Sequence, residues 1–186
     1  MEFSTLIESL NNNKLLLAVI YLVLSFIGAF IIDKIFISAF RALVKKSKSD
    51  LDDKIVEVLH KPLYYSILFF GLNLSIKLLD LPETVVYSLV GIFKTLIIFM
   101  WSVAFFGAFM ILIEWFSRKT NKLPFIQAKT LPLFENLGKI VIFLFCIYFI
   151  MMSWGIDVTA WVASAGILSV VIGFAAKDTL GNLFAG

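Results

Sequence analysis

The sequence VTAWVASAGILSVVIGFAAKDTLGNLFAG, from Val158 to Gly186, differs in composition from everything before it. It carries no charge from 158 to 176, a run close to the roughly 20 residues that a helix needs to cross the hydrocarbon core of a bilayer. Glycine, alanine and serine recur throughout this run. Because glycine costs a helix about 1 kcal/mol relative to alanine, its repeated use indicates that helix backbones approach each other closely here.

Two spacings stand out within the run. Ala165, Ser169 and Gly173 follow one another at intervals of four residues, which is a small-xxx-small ridge of the kind that lets membrane helices pack closely. Val170 and Phe174 are also four residues apart, so two bulky apolar side chains lie one above the other on a helix face.

Polar residues follow the run directly. Lys177, Asp178 and Thr179 are charged or weak helix formers, and they predict a break at the membrane interface. Leu180, Leu183 and Phe184 would make the next segment amphipathic. Asn182 is placed to satisfy backbone groups near that bend.

Four more charge-free apolar runs precede this one, at 15–32, 62–76, 95–113 and 140–156, and they are rich in Phe, Ile, Leu and Val. Hydrophobic residues make up 61% of the chain and charged residues 16%, and the mean hydropathy is +0.98. We therefore predict an all-α membrane protein with about five spans. Pro62 should begin the second span, the Asp80-Leu-Pro82 turn should close it, and the first and third helices should extend beyond the bilayer.

Basic residues are distributed unevenly between the two sides of the membrane. Twelve of the sixteen lie in the segments 33–61 and 114–139, whereas Lys14 and Lys77 lie on the opposite side. The positive-inside rule then places the N-terminus outside and the C-terminus in the cytoplasm. The first 14 residues lack a basic n-region, so we expect the first helix to stay as a true span.

The sequence contains few residues that could form a disulfide, bind a metal or catalyse a reaction. A single Cys146 and a single His60 exclude an intramolecular disulfide and the usual clustered zinc ligands. The acidic cluster Asp50, Asp52 and Asp53 follows Ser49 and is typical of a helix N-cap. No phosphate-binding glycine motif or nucleic-acid module is present. We therefore expect no enzyme activity, no cofactor, no metal and no nucleic-acid partner.

The segment GILSVVIGFAAKDTLGNLFAG resembles the pore-lining helix of the small-conductance mechanosensitive channel family. The shared pattern is a Gly/Ala-rich helix, a break, and then a segment of the form x-x-L-x-N-L-x-A-G. The match covers 163–186. The first 150 residues resemble the family only in forming lipid-facing helices ahead of the pore helix. A chain with five spans resembles the larger members of the family.

The resemblance implies a homo-heptamer in the cell's inner membrane, with the last helix lining a central pore. The constriction falls on Val170 and Phe174, where the family type has leucine at both positions, and the family's kink glycine falls on Asp178. The other implied positions are pore-helix packing at Ala163, Ala165, Gly166, Ser169 and Gly173, and a hinge at Lys177, Asp178, Asn182 and Gly186.

The implied activity is a channel that membrane tension opens, which releases ions and small osmolytes during hypo-osmotic stress. Its partners would be membrane lipids, further copies of itself, and the permeating ions and small solutes. We expect an extracytoplasmic N-terminus at 1–14, four lipid-facing, tension-sensing helices at 15–156, and the pore-lining helix at 157–186. The family continues into a cytoplasmic β domain that these residues do not include, so we expect the chain to be part of a longer protein.

A secondary transporter, or another multi-span membrane protein, is the alternative. A transporter would usually show buried ionisable residues or helices broken at the bilayer midplane. In the sequence only Lys94 comes near that description, and the predicted break lies at the interface.

The orientation can be tested by cysteine labelling in a Cys146→Ala background. Single cysteines at Asn12 or Glu83 should react with an impermeant thiol reagent added outside. Asn12 lies before the first span and Glu83 lies between the second and third spans, and both are on the side of the membrane with few basic residues. Cysteines at Ser47 or Asn121 should stay unlabelled until the membrane is permeabilised. The reverse labelling pattern would overturn the predicted orientation.

Overall fold

A computed structural model of the chain describes residues 13–44, 51–119 and 131–185. These ranges form five α-helices and contain no β-strand. The helices are α1 (Lys14–Val44), α2 (Leu51–Leu78), α3 (Glu83–Lys119), α4 (Leu131–Ser153) and α5 (Thr159–Ala185). All five are long and apolar enough to cross a membrane. The predicted all-α architecture with five spans is confirmed.

The helical form follows from the environment that such apolar segments require. A backbone in hydrocarbon has no water to bond, so each segment must satisfy its own N–H and C=O groups, as an α-helix does. The 37 residues of α3 make it about 55 Å long at 1.5 Å per residue, and α1 continues to Val44. Both helices therefore exceed the thickness of a hydrocarbon core, as the sequence predicted.

Short turns join α2 to α3 and α4 to α5. The first lies between Leu78 and Glu83, around the predicted Asp80-Leu-Pro82 signal. The second follows Ser153 and contains Gly155, whose φ of 71° suits glycine because it lacks a Cβ. The charge-free run had predicted that the fourth helix reaches Ile156, but the helix ends at Ser153.

The predicted start of the second helix needs correction. Pro62 does not begin the second helix, because α2 starts at Leu51 and Pro62 lies inside it. A proline is tolerated inside a membrane helix because neighbouring helices and local adjustment of the backbone satisfy the groups that it frees. The N-cap predicted at Ser49 and Asp50 lies outside the described residues.

The interruption predicted near Lys177 and Asp178 is absent, since α5 runs without a break from Thr159 to Ala185. Asp178 and Thr179 are weak helix formers, but neither is a proline, which is the residue that removes a helical hydrogen bond. Their small individual costs do not stop the helix. Gly186 lies outside the described residues.

The first four helices pack in chain order, with α1 on α2, α2 on α3 and α3 on α4. Glycine sets the closeness of several contacts: Gly71 of α2 meets Ser25 of α1, and Gly138 of α4 meets the ring of Phe109 on α3. An ion pair of 2.7 Å between Lys14 Nζ and Asp80 Oδ1 joins the start of α1 to the α2–α3 turn. These contacts make the four helices one packed unit.

The glycine contact between α1 and α2 predicts a position-specific stability effect. A Cβ added at Gly71 would overlap the Ser25 side chain, so Gly71→Ala should destabilise the helix pair by about 1–3 kcal/mol, as overpacking does. Gly28→Ala is the matched control, because a Cβ there meets nothing within 4 Å. Thermal unfolding in detergent should show a lower midpoint for Gly71→Ala alone. Equal midpoints would contradict the packing described.

Candidate pore-lining helix

The start of α5 is fixed by its own capping residue. Asp157 Oδ1 accepts a hydrogen bond of 2.9 Å from the backbone N–H of Thr159. The Thr159 hydroxyl and backbone N–H hold the pKa of the Asp157 carboxyl below its ordinary value. A carboxylate at this place also suits the positive end of the helix dipole. The sequence Asp157-Val-Thr159 therefore decides where the last helix begins.

Beyond this cap, α5 has no partner within the described chain. None of the other four described helices packs against it, and every residue from Thr159 to Ala175 is exposed. Phe174 is 76% exposed and Ile167 is 70% exposed. A helix this apolar cannot face water on all sides, so its surface must be covered by lipid, by other copies of the chain, or by both.

The glycines of α5 differ from most glycines in the rest of the chain. Gly71, Gly91, Gly107 and Gly138 each lie against a side chain that would collide with or crowd an added Cβ. Gly166, Gly173 and Gly181 have nothing within 4 Å of that position. Among the other described helical glycines, Gly28 alone shares this open setting. The fold of one protomer therefore gives no reason for the glycines on α5.

The serines of α5 are already satisfied by their own helix. The Ser169 hydroxyl donates to the Ala165 carbonyl oxygen at 2.7 Å, and the Ser164 hydroxyl donates to the Ala160 carbonyl oxygen at 2.8 Å. Neither hydroxyl hydrogen needs an external acceptor. The small ridge of Ala165, Ser169 and Gly173 can thus be buried against another helix without leaving an unpaired donor.

The structure places the predicted site residues along this one exposed helix. Val170 and Phe174 lie four residues apart and are both exposed. Lys177, Asp178 and Asn182 lie further along the same helix and are also exposed. The assigned packing residues are all exposed as well, and they are Ala163, Ala165, Gly166, Ser169 and Gly173. Their roles in a pore or an interface stay predictions.

The sequence analysis missed the anchor of the turn that precedes α5. The indole Nε1–H of Trp154 donates to Thr95 Oγ1 at 2.9 Å, and the Tyr87 hydroxyl donates to the Trp154 carbonyl oxygen at 2.6 Å. Both partners lie on α3. No local sequence pattern points to these partners, which lie 59 and 67 residues away along the chain.

Elsewhere among the described residues, polar contacts also link neighbouring helices. His60 Nδ1 of α2 lies 3.4 Å from Asp33 Oδ1 of α1, and the Trp101 indole of α3 donates to Ser66 Oγ of α2 at 2.9 Å. Over the residues that the structure describes, no group of three His, Cys, Asp or Glu side chains is placed to hold a metal ion.

Comparisons with known proteins point to one family. A protein-family model described as mechanosensitive ion channel, transmembrane helices 2/3, matches residues 136–177, which cover most of α4 and α5. An uncharacterized MscS family protein of Aquifex aeolicus (strain VF5) is 29% identical over 165 residues. That alignment covers 89% of this chain but only 44% of the relative's length. No solved structure gives a significant match.

The open space around the glycines of α5 predicts that a larger side chain there impairs assembly without destabilising the single chain. Gly173→Leu should reduce the fraction of assembled protein, because the larger side chain keeps neighbouring helices apart, while nothing in the protomer contacts it. Gly28→Leu on α1 is the control, since it makes the same change at an equally open position. Native mass spectrometry or chemical crosslinking measures the assembled fraction. Equal assembly of the two variants would remove Gly173 from the interface.

Proposed function

Because this chain belongs to the MscS-like family, we propose that it forms an ion channel that membrane tension opens. The pore is built by several copies, seven by analogy with the family, each contributing α5. Opening releases ions and small osmolytes when the cell meets hypo-osmotic stress. The chain covers less than half of the relative's length.

The observation that carries this proposal is the isolation of α5 from the rest of its own chain. The other four helices cover one another in sequence, whereas α5 offers small residues and open glycines that no described part of the protomer uses. Copies of the same helix arranged around an axis would use them, because small residues allow backbones to approach where lipid provides no hydrophobic drive between helices. A closed ring also gives each copy the same contacts.

The gate would be the two bulky rings that symmetry generates from Val170 and Phe174. Water in a narrow apolar constriction loses hydrogen bonds that it cannot replace, so the constriction dries and blocks ions without a physical plug. Val170 and Phe174 lie on one face of α5, and their exposure leaves both side chains available to a pore. Widening the ring would restore the water column.

Tension would act on the packed unit of α1 to α4. A stretched bilayer favours the state that occupies more area in the membrane plane, so opening is a shift between two populations that interact differently with lipid. Large apolar side chains are exposed along these helices, including Phe70, Phe99 and Phe143, and they suit contact with lipid chains. The unequal basic charge supports a cytoplasmic C-terminal end of α5, in an inner-membrane protein.

The continuous course of the helices disfavours the transporter alternative. Transporter sites typically form where spanning helices break near the midplane and expose backbone groups to the substrate. All five described helices run without such a break. The Asp33–His60 pair joins α1 to α2, away from α5.

Serine substitutions test the proposed gate. Val170→Ser and Phe174→Ser should wet the constriction, so that assembled channels leak at low tension and slow cell growth. Because Phe174 is 76% exposed in the protomer, its loss leaves no cavity within a single chain. Patch-clamp recording on the full-length protein, with its expression level measured, provides the readout.

Ile172→Ser is the matched control for this test. Ile172 is 61% exposed, close to the 58% of Val170, and two residues along a helix place it on nearly the opposite face. It should leave the closed-state conductance unchanged. Normal closed-state conductance in well-assembled Val170→Ser and Phe174→Ser channels would remove both residues from the gate.

A further inference from the structure

Force can reach α5 by few routes within a protomer. None of the other described helices packs on α5, so a movement of α1 to α4 arrives through the five-residue turn 154–158 that joins α4 to α5. That turn contains Gly155 with a φ of 71°, and the N–H groups of residues 154 to 156 bond it to the end of α4. What holds the turn therefore decides how much of the movement α5 receives.

The turn is held to α3 by both the side chain and the backbone of Trp154. The indole Nε1–H donates to Thr95 Oγ1 at 2.9 Å, and the Trp154 carbonyl oxygen accepts from the Tyr87 hydroxyl at 2.6 Å. The Tyr87 and Trp154 rings also meet edge to face, with centroids 5.9 Å apart. Two hydrogen bonds and an aromatic pair thus join the turn to α3.

Residues of α3 also form the space that the Trp154 indole ring occupies. A Cβ at Gly91 would come within 2.9 Å of two indole carbons, so only glycine leaves room for the ring at this distance. The Thr95 hydroxyl donates to the Gly91 carbonyl oxygen at 2.9 Å, which directs its hydrogen away from the indole and leaves a lone pair for the Nε1–H. Gly91 and Thr95 lie one turn apart on the same face of α3.

We propose that Trp154, Tyr87, Gly91 and Thr95, which we name the Trp154 clamp, transmit the displacement of α3 to the start of α5. This proposal rests on the proposed function, because it assigns a role in opening the same pore. With the clamp closed, the turn moves with α3 when tension displaces that helix. With the clamp weakened, part of the displacement is lost in rotation of the turn about Gly155, and α5 moves less.

The chain contains its own control for this clamp. The Trp101 indole of α3 donates to Ser66 Oγ of α2 at 2.9 Å, so it joins two helices by the same kind of bond as Trp154 and Thr95. This second bond does not involve the turn. Removing it should weaken helix packing to a similar degree without separating α5 from α3.

The first experiment measures the opening tension of the full-length protein in membrane patches. Thr95→Val removes the indole acceptor and Tyr87→Phe removes the hydroxyl donor, and both should raise the opening tension at unchanged unitary conductance. At a fixed tension, the ratio of open to closed channels should fall about fivefold or more, the factor that one net hydrogen bond represents. Thr95→Ser keeps the hydroxyl and should restore the wild-type tension, and Ser66→Ala should leave it unchanged.

A steric variant reaches the same clamp by another route. Gly91→Ala should displace the indole and raise the opening tension, whereas Gly28→Ala, which has open space around it, should not. An unchanged or lowered opening tension in Thr95→Val, Tyr87→Phe and Gly91→Ala would overturn the proposal. A shift of equal size in Ser66→Ala would also overturn it, because the effect would then be general packing loss.

Hydrogen exchange of the segment 150–158 gives a readout that does not depend on conduction. The Gly155 and Ile156 N–H groups donate to the Met152 and Met151 carbonyl oxygens at the end of α4, and their exchange should become faster in Thr95→Val and Tyr87→Phe but not in Ser66→Ala. Unchanged exchange would overturn the clamp itself, and faster exchange at a normal opening tension would overturn its role in transmission. A wild-type protein that gives no current under tension would instead refute the proposed channel function.

Discussion

Shape complementarity between helices is the constraint on which this structure depends. In a bilayer the lipid chains are as apolar as the side chains, so no hydrophobic drive brings spanning helices together and close fit decides which of them touch. Ser25 of α1, Val58 of α2, Phe109 of α3 and Trp154 of the turn each occupy space that a glycine on another element leaves free. On α5 the same residue type occurs without any such neighbour in the described protomer.

This division gives the two parts of the protomer different mechanical characters. The four packed helices share ring contacts, such as the stacked pair Phe69 and Phe93 with centroids 5.3 Å apart, and can move as one body. The last helix has a capped start, and the turn before it is held to α3 at Trp154. Few interactions therefore set the position of α5 within the protomer. Each hydrogen bond there contributes only about 1 kcal/mol, but in the proposed symmetric channel the contribution would repeat in every subunit and act on one shared opening event.

The sequence predicts the structure correctly where a long run of consecutive residues carries the signal. It does not predict contacts between residues that are far apart along the chain. Five charge-free runs predicted five helices, because crossing hydrocarbon imposes both length and apolarity on consecutive residues. The start of α2 was misplaced at Pro62 because the preceding turns carry charge and therefore lie outside the apolar run. The predicted break at Lys177 and Asp178 rested on weak propensities, which a continuing helix overrides. Trp154 was visible as an aromatic residue beside a turn, but its partners on α3 follow only from the tertiary arrangement.

The unequal sizes of Val170 and Phe174 give the proposed pore a graded constriction. Valine is branched at Cβ and has essentially one χ1 rotamer in a helix, so a ring of valines has a nearly fixed radius. Phenylalanine turns about χ1 and χ2, and its flat ring presents either an edge or a face. A ring of Phe174 side chains can therefore narrow or widen without any movement of the α5 backbone, whereas a ring of Val170 changes only when the helices themselves separate. In the proposed channel, the backbone displacement that tension supplies would thus change the pore radius at Val170, and Phe174 would add a side-chain barrier one turn further along the helix.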